Sequence, residues 1–267
     1  MSTKMDKEAL KGPDIFISTS DKVFEFVERH FKTYAAILCL ILVIGIGYVA
    51  YGYVLASQEQ HAAEALYLPE GALKKVASDR SEARSKKMLD LVNSKDPKKA
   101  KMANLEDAQP IDYSKDYAPL VAKVKTEISS HASTKAAMVS ALNLAFFLLE
   151  QKQFGEALAV LDLPKYQPGK GDTLEGFWLM HRGLVYLENQ KPDEALAAYQ
   201  SVVNSPSLKA FHPESLLKLG VCYDLKGNND KARETFERLG REFPETEASA
   251  TAQQYLRLLD LKSQKAG

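Results

Sequence analysis

PESLLKLGVCYDLKGNNDKARETFERLGREFPET, residues 213–246, reads as two helices joined by a turn. Leu216, Leu219, Gly220 and Tyr223 recur at helical spacing. Lys226-Gly227-Asn228-Asn229 then interrupts the pattern, Ala232 and Phe236 resume it, and Pro244 closes it. The skeleton occurs three times. A small residue is followed twelve positions later by another in the pairs Ala145 and Ala157, Gly183 and Ala195, and Gly220 and Ala232, and the pairs succeed one another every 37 to 38 residues. Such a period predicts a stack of helical hairpins. Small residues facing each other let the two backbones approach, and a bulky aromatic one turn away is expected to fill the space left over.

The third copy closely resembles the tetratricopeptide repeat, a helical hairpin of about 34 residues. The second, 176–209, matches through Leu179, Gly183, Tyr186, Ala195 and Tyr199, with Pro206 near its end. The first, 138–171, keeps Leu144, Ala145, Ala157 and Leu161 but has Leu148 where the tyrosine belongs. Gln151-Lys152-Gln153 and Asn189-Gln190-Lys191-Pro192 supply the corresponding turns. An extra helix is expected from Asp116 to His131 in front. A polar-faced capping helix, 247–261, is expected behind, as open-ended stacks require for solubility. The repeat domain as a whole is read as 113–267, and the fold class as all-α.

Upstream lies a run without charge from Thr33 to Gln58, with the apolar core Ala35 to Ile46. At about 1.5 Å per residue it is long enough to cross a bilayer as one helix. Tyr34 at one end and Tyr48, Tyr51 and Tyr53 toward the other suit the two interfaces. A cleaved signal peptide is the rival reading, but the polar segment ahead exceeds 30 residues and the apolar run exceeds a signal core. Residues 33–58 are therefore expected to be a retained span. Lys22, Arg29 and Lys32 precede it, whereas no Lys or Arg follows until Lys74, which favours a cytoplasmic N-terminus. In a bacterium the later residues would then lie in the periplasm, or outside the cell, and the span in the inner membrane.

Residues 1–32 read as a cytoplasmic tail. Within it Val23, Phe24, Val27 and Phe31 form one face of a helix capped at Ser20 or Asp21, which is either a surface-lying amphipathic helix or the first turns of the span. Residues 59–112 read as a polar, basic linker, with ten Lys or Arg against four acids between 74 and 101. Such a run is a solvated helix or linker, or else a contact for anionic lipid or an acidic partner.

Composition narrows the function. Net charge is zero, which gives no field for nucleic acid. Cys39 and Cys222 form neither a disulfide framework nor a zinc spacing. His30, His61, His131, His181 and His212 are dispersed, and Pro168-Gly169-Lys170-Gly171-Asp172 lacks the spacing of a phosphate loop. No catalytic, cofactor-binding or metal-ligating residue is assigned, no cofactor or small-molecule substrate is expected, and the chain is read as a non-enzyme.

The resemblance implies instead a concave surface built from the first helix of each hairpin. Its inward positions would be Leu142, Phe146 and Leu149, then Met180, Leu184 and Leu187, then Leu217, Val221 and Asp224. Repeats that hold acidic C-terminal tails line this surface with Lys, Arg and Asn, unlike this chain. An amphipathic or extended apolar segment of a protein partner is expected there, or the chain's own helix 116–131 through Leu120, Val121, Val124 and Ile128.

The order of parts, an amphipathic lead with Val23 and Phe31, one span, a polar linker and a repeat domain, resembles the bacterial YfgM-like family of ancillary Sec translocon subunits. That resemblance implies contact with the translocon and with periplasmic chaperones. The run Arg241-Glu242-Phe243-Pro244-Glu245-Thr246-Glu247-Ala248 is similar to periplasmic repeat proteins of envelope assembly and cell division, which leaves such a scaffold as a second reading. A holdase-like chaperone that binds unfolded segments is a third.

Overall fold

Helices account for every regular element among the described residues, 15–93, 113–169 and 172–266 of the computed structural model. They are α1 (Ile15–Val92), α2 (Tyr113–Asp116), α3 (Ala118–Ser130), α4 (Lys135–Glu150), α5 (Phe154–Leu161), α6 (Thr173–Glu188), α7 (Pro192–Val203), a 3-10 helix (Pro206–Phe211), α8 (His212–Leu225), α9 (Asn229–Glu242) and α10 (Glu247–Ala266). The chain divides into two units, Met1–Ser57 and Gln58–Gly267.

The first unit is the early part of α1. Its apolar side chains, Ile37, Leu40, Ile41, Ile44 and Ile46 among them, are exposed rather than packed. It is the one helix among the described residues long and apolar enough to cross a membrane. Phe26, His30 and Tyr34 follow at one-turn spacing, with neighbouring ring centroids 4.7 and 6.3 Å apart, where the apolar run begins. Residues 1–14 lie outside the described residues, as do the side chains of Val23, Phe24 and Val27.

The second unit holds three hairpins, α4 with α5, α6 with α7, and α8 with α9. Each first helix ends in the same turn. The N–H groups of Gln153, Lys191 and Asn228 return to the carbonyls of Leu148, Tyr186 and Tyr223 at 2.8, 2.9 and 2.9 Å. This six-to-one closure needs a left-handed residue just before it. Lys152, Gln190 and Gly227 take that conformation, with φ of 58°, 57° and 71°. Thr134, Asp172 and Asn228 cap α4, α6 and α9 by accepting from backbone N–H groups two or three residues on, while Pro192 starts α7.

Close approach within the second and third hairpins works differently from the expected small-on-small contact. A methyl group added at Gly220 would come within 2.6 Å of ring atoms of Phe236, and one at Gly183 within 2.6 Å of the Tyr199 ring. The aromatic of the second helix therefore lies directly on the bare backbone of the first. Ala195 and Ala232, one turn earlier, are buried and leave room for that ring. In the first hairpin the two places hold Ala145 and Leu161, both buried, so a larger residue on one helix accompanies a smaller one on the other.

The stretch 59–112 differs from a free linker over its described part. Helix α1 continues to Val92, and Ala62, Leu66 and Leu73 are buried, with Val76 and Ala77 against the same core. Spacings of 4 and 7 residues place these three on one helical stripe, which the surrounding charges hide from a composition-based reading. The Glu59 carboxylate accepts from the Lys135 and Ala136 N–H groups at 2.8 and 3.1 Å, closing the positive end of α4. Arg80 pairs with Asp116 beside the buried Tyr117. The break expected at Asp96-Pro97 lies outside the described residues.

Two hydrophobic cores result. One joins Leu66 and Leu73 of α1 to Val121, Val124 and Ile128 of α3 and to Ala145, Leu148 and Val160 of the first hairpin. The other joins Tyr199, Leu216, Phe236 and Leu259. Helix α6 serves both: Trp178 and Val185 pack into the first, Met180 and Tyr186 into the second. The Trp178 indole N–H donates to the Leu161 carbonyl at 2.9 Å, ending α5, and Arg182 lies 4.8 Å over the Trp178 ring while pairing with Asp162. The capping helix extends to Ala266 and buries Ala248, Ala252 and Leu259, while Leu258 and Leu261 are exposed beside its polar residues.

Candidate functional site

The nine residues read as a groove sit on α4, α6 and α8, the first helices of the three hairpins, but their exposure differs. Leu142 and Leu217 are buried and serve the two cores. Leu149 packs against the first core, and Met180, Leu187 and Val221 against the second, all half-buried. Leu184 is half-buried. Asp224 is held by Lys262 of α10, whose ammonium donates to both carboxylate oxygens at 2.7 and 3.0 Å. Phe146 alone of the nine is exposed, at 47%.

Three further side chains accompany Phe146. Phe177 is 45% and Val139 43% exposed. His181 stands between the two phenylalanines, edge-to-face to Phe146 at 6.4 Å and to Phe177 at 6.5 Å. Its Nδ1 lies 2.8 Å from the Phe177 carbonyl. Donation from Nδ1 to that carbonyl leaves Nε2 as the ring's remaining polar atom. Phe177 also meets Phe211 of the 3-10 helix edge-to-face at 5.2 Å, and a methyl group at Gly176 would strike that same ring. The signal for these residues is present in the sequence. Val139, Phe177 and Glu214 occupy one column of the repeat, three places before Leu142, Met180 and Leu217.

Helix α3 lies against α4, with Val121, Val124 and Ile128 buried in the first core and Leu120 half-buried. The exposed rings of Phe146 and Phe177 are left uncovered by it. Between α1, α3 and α4 remains a cavity of about 230 Å³ with an apolar lining that includes Leu73, Ala77, Val124, Leu144 and Phe147. Glu70, Lys74, Asn143 and Glu150 border it.

Burial pushes the Cys222 thiol up to about 11, against activation as a nucleophile. Tyr113 donates to Glu156 at 2.6 Å, and burial followed by that carboxylate raises its hydroxyl well above the usual range. His131 and His212 contact backbone carbonyls at 3.1 and 2.9 Å. Among the described residues no group of His, Cys, Asp or Glu is arranged to hold a metal ion.

An exposed apolar helix followed by stacked hairpins of one period has a counterpart among known families. Residues 25–220 match the tetratricopeptide repeat-like domain. The chain belongs to that family. Residues 214–246 also match the tetratricopeptide repeat itself, on the stretch that forms α8 and α9. The first match opens ahead of the apolar run and ends within α8, so it covers that run, the rest of α1 and the first two hairpins. No curated protein matches the chain. Tetratricopeptide repeats mediate binding of protein partners, and families of this kind are generally non-enzymatic scaffolds. The protein is accordingly an interaction scaffold.

Proposed function

We propose that this chain is a scaffold tethered by residues 33–58 to the bacterial inner membrane, with residues 1–32 in the cytoplasm and the repeat domain in the periplasm. There it assists the secretion translocon and periplasmic chaperones. The observation that carries the reading is the combination, within one family match, of an apolar helix whose side chains are exposed among the described residues and a repeat domain that leaves Phe146 and Phe177 exposed. A membrane tether confines the domain to a thin layer next to its partners. Effective concentration there reaches the millimolar range, so weak apolar contacts suffice. The Lys22, Arg29 and Lys32 bias supports the orientation.

Crosslinking in native membranes tests the partner, and protease accessibility of the C-terminal part in intact against permeabilised cells tests the compartment. Recovery of translocon subunits is expected, with digestion only after the outer barrier is opened. Consistent absence of those subunits removes the translocon assignment. The exposed phenylalanines also favour a holdase that binds unfolded segments, and a broad mixture of unfolded clients in place of discrete subunits would select it. Recovery of a discrete envelope-assembly or division complex would select that second scaffold reading.

A further inference from the structure

We propose that the face shared by the later part of α1, α4 and α6 docks an amphipathic segment whose apolar side is flanked by Lys or Arg. The proposal rests on the scaffold reading above and specifies its partner's chemistry. Three features coincide on this face. First, the 230 Å³ cavity between α1, α3 and α4 is large enough for one bulky side chain, and its lining is apolar. Second, Phe146 is exposed on α4 one turn before Glu150 at the cavity's border, and Phe177 is exposed on α6, with His181 between the two rings. An extended apolar side chain can rest there with its neighbour in the cavity.

Third, the charge on this face is unbalanced. Glu150 lies one turn beyond Phe146 and Glu188 one turn beyond Leu184, each in the last turn of its helix and each exposed. Neither forms an ion pair among the described residues. Carbonyls at the ends of α4 and α6 add to the negative potential. Glu150 also borders the cavity, where Glu70 offsets Lys74, so the net charge at its mouth is negative. At the corresponding end of α8, Asp224 is already neutralised by Lys262 and Leu225 follows. The unpaired carboxylates thus belong to the same two helices as the exposed rings. A partner with acidic flanks would meet two uncompensated charges, whereas Lys or Arg would pair with them.

The test uses the full chain in nanodiscs of phosphatidylcholine, with empty discs as the blank. Two fluorescein-labelled helical peptides are titrated, identical in their Leu and Phe face but flanked by Lys in one and by Glu in the other. At low salt the Lys peptide is expected to bind at least about tenfold more tightly, with the difference shrinking as salt rises. Glu150→Lys with Glu188→Lys should reverse the preference. Ala77→Leu, which fills the cavity from α1, should weaken both peptides while the helical circular dichroism is retained. Equal binding of the two peptides, an unreversed preference, or full binding by Ala77→Leu overturns the proposal. Such a failure would leave the scaffold reading standing, since that depends on recovery of any discrete protein partner from native membranes.

Discussion

Replacing Gly220 by Ala probes the contact on which the hairpin geometry depends. On a solvent-exposed helix the change would stabilise by about 1 kcal/mol, because glycine is a poor helix former. Here the new methyl would come within 2.6 Å of Phe236 ring atoms, far inside the roughly 3.5–4.0 Å of a good carbon contact. The ring cannot easily withdraw. It is fully buried and stacked on Tyr255 at 5.2 Å with the planes 14° apart. Overpacking of this kind costs about 1–3 kcal/mol, which outweighs the helical gain. Net destabilisation of up to about 2 kcal/mol is expected, or a fall of up to roughly 8 °C in Tm for a domain of this size.

Phe236→Leu alone should also destabilise, by less than the ~3–5 kcal/mol typical of Phe→Ala. The double variant reproduces the Ala145 and Leu161 pair of the first hairpin, and should recover about 1 kcal/mol or more relative to the sum of the singles. The assay is a double-mutant cycle on the full chain in one detergent, by chemical denaturation followed at the helical circular dichroism band. Simple additivity, or a Gly220→Ala variant more stable than the parent, would refute the ring-on-backbone contact.

Other substitutions read different parts of the design. Tyr199→Phe removes a buried hydroxyl that has no hydrogen-bond partner among the described residues, so stability should rise by about 1 kcal/mol; a fall in Tm would mean that the hydroxyl is paired. Gln190→Gly relieves a left-handed residue in the second hairpin turn and should stabilise by about 0.5–1 kcal/mol, whereas destabilisation in a denaturation curve would contradict that turn. In a Cys39→Ser background, Cys222 should react with a thiolate-directed reagent at pH 8 roughly two orders of magnitude more slowly than a free cysteine. Its raised pKa of about 11 keeps the thiol protonated until strongly alkaline pH, and labelling as fast as in denaturant would show it to be accessible.

The hairpins were legible because their determinants are local and repeated. Gly183, Ala195, Gly220 and Ala232 announce close helix packing, and the turns fall between them. The contact partner of the glycines was less legible. Residue spacing places Tyr199 and Phe236 one turn from a small residue, but only the helix crossing decides which backbone the ring meets. The later part of α1 was hidden for a physical reason. Three buried residues, Ala62, Leu66 and Leu73, suffice to seat it on α3 and α4, and ten basic residues nearby dominate its composition. The repeat register put the nine groove candidates on the first helices of the hairpins, yet Leu142 and Leu217 went to the core. Val139 and Phe177, in the neighbouring column, supply much of the exposed apolar surface.

The most direct measurement places a photoreactive amino acid in turn at Phe146, at Phe177 and, as a control on a second helix, at Glu237, and irradiates intact cells. Discrete protein adducts are expected from the first two positions and not from the third. Equal labelling at all three, or adducts from Glu237 alone, would contradict a scaffold that works through the face formed by the first helices.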